Sequence, residues 1–586
     1  MKNFLKSYAE KFSKFLKADG GFLALLIILN SPPIFQVFVF FKQNTSQDLG
    51  ENDFWSVFLQ KIDVLYFGAV EILIFCLAVY FALAKFPRTK KFLQTAIFIG
   101  FVISFVIDVF LIYTFKMPLH SNFIEIAVAT NFNEIKEFFQ AYVLKPKIVL
   151  AVLAVIFLIV AAVKKFVAVF KNLSEDTLHR LSYHSLIILI PAVIEAFYLL
   201  GSAFFAVAYQ NTILFRNIAN TYIALKISGS EPEIFAEMNR QDEKIIYDNS
   251  KIPYVVFILG ESQTRNHMQI YGYRLQNTPF EVERYKRGEL FKFNDTVACA
   301  NATSTAMKLI FTFSEKEDNP EDWYKTPNIF DILRRAGYHT AWISNQSPIG
   351  WRGNLDKIYA ERCDEKYFTE VQELKDSDVW ERDFDGILLP IIDDFISRSQ
   401  DKNFYCVHLY GSHQLYQERY PAEFAKFTAA DETQFDNQKN LPADAKKISA
   451  EYDNSILYTD FILEEIYKRF EDKNALIIYI SDHGEEIYEN GSGMAGHTPE
   501  ENGNRSVIEI PLLIWTSKSF REMYPEKIDA LKNSCDNPYR TDLIIHTILD
   551  LMDIQTESFD ATKSIVNKNF DKFRIRIYNN KPYVKN

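Results

Sequence analysis

Asp482 and His483 follow directly on the apolar, β-branched run Ala475–Ile480. A carboxylate and an imidazole delivered side by side at the end of such a run form half of a zinc-type ligand set. The arrangement recurs along the chain. Tyr254-Val-Val-Phe-Ile-Leu-Gly260 runs into Glu261-Ser262, Phe404-Tyr-Cys-Val-His408 leads to Gly411-Ser412-His413, and His497 stands in a Gly-rich stretch after Asp482. Any one carboxylate after a strand can be a helix N-cap, but three strand ends that each offer metal ligands converge on a site. His408 is assigned to packing or to support of that site. Group transfer also needs a nucleophile, and Thr303 and Thr305 stand in a segment, Ala298–Phe311, that follows a strand and opens a helix. A hydroxyl there meets the positive end of the helix dipole and free backbone N–H groups suited to phosphate. Metal contact would make its alkoxide accessible near neutral pH. A plain Ser/Thr cap is the other reading of the same residues.

The elements that position these residues alternate in type. Strands are expected at Pro253–Leu259, Leu290–Asn294, His339–Ser344, Phe404–Leu409, Ala475–Ile480 and Ile510–Trp515, with helices between them such as Asn328–Ala336 and Asp453–Phe470. Alternation of this kind predicts an α/β domain with a mostly parallel central sheet. In such sheets, ligands bind at the carboxyl ends of the strands.

Length and charge divide the chain. At 586 residues it exceeds one ordinary core. Residues 1–208 carry a net charge of +5 and residues 209–586 one of −16. No long basic patch points to nucleic acid. The five cysteines form no CxxC pair and support neither a Cys-rich zinc module nor a dense disulfide scaffold, which leaves room for one or two bridges.

The basic part is apolar. Five stretches, Gly21–Phe41, Val64–Leu83, Phe92–Phe115, Ile148–Val163 and Ser185–Ala208, approach the roughly 20 residues needed to span a bilayer. The first is interrupted by Ser31-Pro32-Pro33. The N-terminus and the loops Lys85–Lys91 and Lys164–Arg180 hold 13 Lys/Arg, against six in the alternate loops, so the N-terminus is expected inside. With five spans the second part lies outside, on the periplasmic face of a bacterial inner membrane. The expected organisation is a transmembrane domain over 1–208, a linker over 209–250 and a catalytic domain over 251–586. Residues 121–142 put Phe123, Ala127, Ile135, Phe138 and Tyr142 on one helical face, as a helix at the outer interface or an ordinary loop helix would. Glu71 and Asp108 each fall about 12 Å from the outer end of a span at 1.5 Å per residue. Intramembrane carboxylates are costly; this pair is expected to line a pocket for a lipid ammonium headgroup or to form a helix–helix hydrogen bond.

LGES at 259–262, the helix opened by Thr303, HLYGSH at 408–413, SDHGEE at 481–486 and His497, all after five spans, resemble the bacterial phosphoethanolamine transferases of the alkaline phosphatase/sulfatase superfamily. These enzymes modify lipid A or the lipopolysaccharide core. GESQTRNHMQIYGY (260–273), ISNQ (343–346) and IPLLIWTS (510–517) are similar to the branch that acts on core heptose. The resemblance implies a five-helix membrane domain joined to a sulfatase-like α/β domain. It implies one zinc ion, or two, with Glu261, Thr303, Asp482 and His483 as ligands and Thr303 as nucleophile. Thr303 is preferred to Thr305 because its spacing to Phe311 matches the family helix. His413 and His497 match residues near the transferring group or a second zinc. Phosphatidylethanolamine would be the donor and lipopolysaccharide or another envelope glycan the acceptor. A phosphoglycerol transferase or a hydrolase on the same fold is the alternative. The chain departs from the family where Ile310-Phe311-Thr312 supplies no second cysteine to pair with Cys299. Where some members carry a Lys after Asn345 it has Gln346, and Arg352 nearby is a candidate for that phosphate contact. Cys299-Ala-Asn-Ala-Thr303 also lacks the Pro and Arg of a modified-cysteine sulfatase.

Overall fold

The computed structural model of the protein divides into two compact units, Met1–Ile124 with Phe138–Lys226, and Glu125–Glu137 with Ile227–Asn586. It describes residues 2–585 except 38–50, most of 116–137, 183, 186–210, 228–230, 318–321, 349–354, 370–383, 433–440, 490–494 and 499–503.

The first unit is helical: α1 (Lys2–Leu29), α2 (Glu51–Ala82), α3 (Pro87–Phe115), α4 (Pro146–Lys171) and α5 (Ile213–Ile227). Helix α1 packs on α2, α3 and α4 through Phe12, Phe15, Leu16, Leu26, Ile72 and Phe101. Among the described residues three helices, Lys6–Val37, Lys61–Ala82 and Pro87–Phe115, are long and apolar enough to cross a membrane. The expected fourth span falls within α4; the fifth falls almost wholly outside the described residues. The helix breaks at Asn30-Ser31, before the two prolines, and resumes over 32–37, because proline lacks the N–H a continuous helix needs. Half of the segment expected as an interfacial helix also lies outside the described residues. Phe115, Phe138 and Tyr142 form one ring cluster, with Phe115 centred 6.2 Å from Phe138 and 5.0 Å from Tyr142.

The expected linker at 209–250 is largely ordered structure. It holds α5 in the first unit and, in the second, the helix Glu231–Met238 and the strand Ile245–Asp248. Ile213, Ala224, Ile234 and Met238 are buried, and burying apolar side chains outweighs the entropy of ordering a connector.

The second unit is built on a seven-stranded sheet. In chain order its strands are β1 (Tyr254–Gly260), β2 (Leu290–Lys292), β3 (His339–Ser344), β4 (Glu365–Phe368), β5 (Asn403–His408), β6 (Ala475–Ser481) and β7 (Leu512–Thr516). Their spatial order is β2-β7-β6-β1-β5-β3-β4. The sheet is mixed: β6-β1-β5-β3-β4 pair in parallel, while β7 runs antiparallel to both its neighbours. Strand β1 shows why its sequence is a continuous apolar run. Val255, Phe257 and Leu259 belong to the core on one face and Val256 and Ile258 to the core on the other. A strand covered on both faces cannot alternate apolar with polar residues. Two further helices matter for the site: α6 (Thr303–Ile310) and α7 (Ala443–Phe470), which begins well before the expected Asp453.

Candidate active site

The register of β1 against β6 assembles the first pair of ligands. Gly260 lies opposite Ser481 in a parallel ladder, so the next residues, Glu261 and Asp482, emerge together at the carboxyl edge. Asp482 N donates to Gly260 O at 3.1 Å, and Asp482 Oδ1 accepts from the N–H groups of Ser262 at 3.1 Å and His483 at 2.7 Å. Two glycines permit the crowding. A Cβ on Gly411, whose φ is +51°, would lie 2.9 Å from Glu261 O, and one on Gly484 would collide with Ser506 O. Gly484 N donates to Val507 O at 2.7 Å, pinning the turn that carries His483.

Thr303 is the first residue of α6, after the extended Ala302. Its hydroxyl donates to Glu261 Oε2 at 3.0 Å and lies 3.4 Å from His483 Nε2. His483 Nε2 is 3.4 Å from Glu261 Oε1 and 3.3 Å from Asp482 Oδ2. Its Nδ1 lies 2.9 Å from Gly484 O. A carbonyl only accepts, so Nδ1 carries a proton and Nε2 is the atom turned toward the carboxylates. The structure thus brings together the four residues Glu261, Thr303, Asp482 and His483.

The electrostatics ask for a cation. Glu261, Asp482 and His483 are buried, with ligand atoms within 4.8 Å of one another, and Asp482 Oδ2 accepts no hydrogen bond from any described residue. Burial acts to raise the Glu261 carboxyl, but the hydrogen bond and charge of His483, with His413, hold it well below the usual range. At Asp482 burial and the charge of Glu261 win, pushing it up to about 6. Burial opposes charge on His483, yet Asp482 and Glu261 push it up to about 10. Two buried carboxylates, an imidazole nitrogen and a hydroxyl match the donor chemistry of a divalent ion such as zinc.

Beside this group stands a second. His483, Glu485 and His497 also bring ligand atoms within 4.8 Å, and the rings of His483 and His497 are centred 4.0 Å apart. Glu485 Oε2 lies 2.7 Å from His497 Nδ1, and Oε1 accepts from Tyr416 OH at 2.8 Å. Glu485 therefore fixes the His497 ring with Nε2 left over for chemistry. His413 lies on the loop after β5, its ring centred 5.1 Å from that of Tyr410. His408 is fully buried, with Nδ1 2.6 Å from Asp356 Oδ1, one strand over from the ligands. Arg352 lies outside the described residues. All five cysteines are free thiols.

Glu71 and Asp108 belong to the first unit, where both reach residues 211–217. Glu71 accepts from Asn211 Nδ2 at 2.9 Å and from Thr212 Oγ1 at 2.6 Å. Asp108 pairs with Arg216 and accepts from Leu119 N at 3.1 Å. Each carboxylate is thus hydrogen-bonded inside its own unit.

Sequence reasoning passed over the groups that hold the two site loops together. His267, buried, places Nδ1 3.0 Å from Asp453 Oδ1 on α7 and Nε2 3.2 Å from Glu489 Oε1. Glu489 Oε2 accepts from Ile487 N at 2.5 Å, and Tyr273 OH donates to Asp453 Oδ2 at 2.8 Å. Burial opposes a charged His267, but Asp453 and Glu489 push it up to about 10. This imidazolium ties the loop after β1 to the loop after β6. Its only signal in the sequence was its place six residues after Glu261.

The sulfatase family pattern matches residues 253–554, which hold all of these groups except those of the first unit. Phosphoethanolamine transferase EptC of Escherichia coli O18:K1:H7 is 29% identical over 340 residues, 57% of this chain and 56% of that protein. The match thus spans about half the length of the relative. The crystal structure of the C-terminal periplasmic domain of Escherichia coli EptC in complex with zinc is similar at 27% identity and a TM-score of 0.51, covering 57% of this chain and 94% of that one. The integral membrane lipooligosaccharide phosphoethanolamine transferase A of Neisseria meningitidis shares the fold, with a TM-score of 0.62 at 22% identity over 92% of this chain and 98% of its own. Since the family pattern covers just over half of the sequence and every element that carries the ligands, the chain belongs to the sulfatase family.

Proposed function

We propose that this protein transfers phosphoethanolamine from phosphatidylethanolamine to a lipopolysaccharide acceptor, core heptose or lipid A, through a phosphoethanolamine–Thr303 intermediate. The observation that carries the reading is the Thr303 hydroxyl at the start of α6, 3.0 Å from Glu261 Oε2 and 3.4 Å from His483 Nε2. The names of the relatives supply the transferred group, and the zinc complex of the similar EptC domain supports the metal. Glu261, Thr303, Asp482 and His483 would hold zinc, which when bound supplies Lewis acidity and lowers the pKa of the Thr303 hydroxyl.

The chain's own groups do the rest. Thr303 Oγ1, its proton lost to solvent, forms a bond to phosphorus as the bond from phosphorus to the diacylglycerol oxygen breaks, and the leaving oxygen takes its proton from His497 Nε2. Backbone N–H groups at the start of α6 hold the non-bridging oxygens. In the second half an acceptor hydroxyl attacks the same phosphorus and Thr303 departs. His497, oriented by Glu485, takes the acceptor's proton through Nε2, and His413 adds positive charge near Glu261. This chemistry is proposed for a periplasmic catalytic domain on a multi-pass inner-membrane anchor with the N-terminus inside.

The test uses the full chain incubated with phosphatidylethanolamine and no acceptor. Intact mass should show one added phosphoethanolamine, absent from Thr303→Ala, and added lipopolysaccharide should discharge it. Modified lipopolysaccharide from cells that carry only Thr303→Ala would refute the intermediate.

A further inference from the structure

Ser262 links the two carboxylates of the candidate site, and it does so from a strained backbone. Its φ is +59°, in the left-handed region that residues with a side chain rarely enter. Strained residues of this kind cluster at functional sites, where their surroundings hold them in place. Three hydrogen bonds hold this one. Ser262 N donates to Asp482 Oδ1 at 3.1 Å, Ser262 Oγ donates to Glu261 Oε1 at 2.7 Å, and Ser262 O accepts from Tyr452 OH at 2.8 Å. Ser262 and Tyr452 are both fully buried. The Tyr452 hydroxyl, carried by α7, also accepts from Thr264 N at 2.9 Å. One residue therefore directs both of its donors at the two carboxylates and is braced from behind by a helix.

The result is that each carboxylate has one oxygen taken by Ser262. At Glu261, Oε1 accepts from the Ser262 hydroxyl, while Oε2 faces the Thr303 hydroxyl. At Asp482, Oδ1 accepts from the N–H groups of Ser262 and His483, while Oδ2 accepts from no described residue. His483 Nε2 is turned toward both carboxylates and toward Thr303. The set thus offers one atom per residue: Glu261 Oε2, Asp482 Oδ2, His483 Nε2 and Thr303 Oγ1. Four such donors suit the tetrahedral preference of zinc. A carboxylate free to turn can present both oxygens, which moves a site toward the roughly six to eight oxygen donors that calcium takes.

We infer that Ser262 is a positioning residue that sets the metal selectivity of this site. It occupies the second oxygen of Glu261 and of Asp482, so that each binds through one oxygen and the site prefers zinc to a larger, oxygen-seeking cation such as calcium. The hydroxyl is the part that the turn itself does not require. Glycine adopts a left-handed φ without strain and would keep the N–H to Asp482, but it has nothing to bond Glu261 Oε1. The inference rests on the metal reading of the site and is independent of the group transferred.

The test compares the full-length parent with Ser262→Gly and Ser262→Ala, each in detergent and stripped of metal by chelation. Zinc is titrated in competition with a fluorescent chelator, calcium is titrated separately, and the cobalt(II) forms are read by visible absorption. Ser262→Gly suits the φ, so its metal-free form should unfold cooperatively, as the parent does. Both variants should bind zinc about tenfold or more weakly, as expected when a ligand loses the group that orients it. Calcium binding should not fall in step, so the ratio of zinc to calcium affinity drops as well. The cobalt band, intense for four-coordinate cobalt and weak for six-coordinate, should be strong in the parent and severalfold weaker in both variants. A glycine variant equal to the parent in affinity, selectivity and cobalt spectrum, whatever Ser262→Ala does, would show that the residue serves only the turn and overturn the inference. Equal losses of zinc and calcium with an unchanged cobalt band would overturn it too. A parent that binds no zinc would overturn the metal reading and this inference with it.

Discussion

Replacing His267 by Gln should destabilise the protein in a pH-dependent way. Gln keeps a donor but no charge, and it leaves Asp453 and Glu489 buried without their cation. Breaking a buried pair in this manner costs about 3–5 kcal/mol. The pKa gives a similar ceiling: a rise from the ordinary 6.5 to about 10, at roughly 1.4 kcal/mol per unit, corresponds to about 5 kcal/mol. The folded-state pKa is the higher one, so the stabilisation is complete below pH 6.5 and disappears as pH rises through about 10. Glu432, buried beside Asp453 and pushed up to about 9, acts in the same direction, because ionising it in the folded state opposes folding. At about 2 °C per kcal/mol for a unit of this size, the variant should melt roughly 6–10 °C below the parent in mild acid. The gap should close in alkali. Thermal unfolding of the full chain in detergent, followed by intrinsic fluorescence across this pH range, measures both. Parallel pH curves for parent and variant, or equal midpoints in mild acid, would show that His267 carries no charge in the fold.

Asp482→Asn should abolish stoichiometric zinc binding, read by metal analysis of the purified chain. Chelation should lower the parent's midpoint by the equivalent of about 3 kcal/mol, the linkage expected near 100-fold saturation, and leave the variant's unmoved. Gly411→Ala places a Cβ 2.9 Å from Glu261 O at a φ of +51°. It should cost about 1–2 kcal/mol of stability and at least about tenfold in kcat by moving Glu261, read as the rate of phosphoethanolamine transfer.

The parts of the fold that were legible in the sequence are those where one physical cause dominates. Strands β1 and β6 are apolar because both faces are covered, and each ends where a carboxylate begins, so Glu261 and Asp482 could be named from the run alone. Strand β4, Glu365–Phe368, left no such trace: it is the edge of the sheet, and only Phe368 is buried. Helix α7 was read from Asp453 because its first turns, AlaAspAlaLysLys onward, are charged and face solvent in part. Asp453 then looked like a helix start, whereas tertiary packing uses it as an anion for His267. Glu485 shared the Asp-His-Gly-Glu block with the ligands, but its role depends on His497 and Tyr416, which only the fold brings to it.

The reversed direction of β7 has a consequence for how the family can diversify. Because β7 runs opposite to β6, the chain leaves β6 and enters β7 at the same edge of the sheet, where Glu489 is held by His267 and Val507 by Gly484. The stretch between them starts and ends on fixed posts a short way apart. Lengthening such a loop costs only about 0.6 kcal/mol per doubling. The segment between them can therefore change length and composition while Glu261, Thr303, Asp482 and His483 stay where they are.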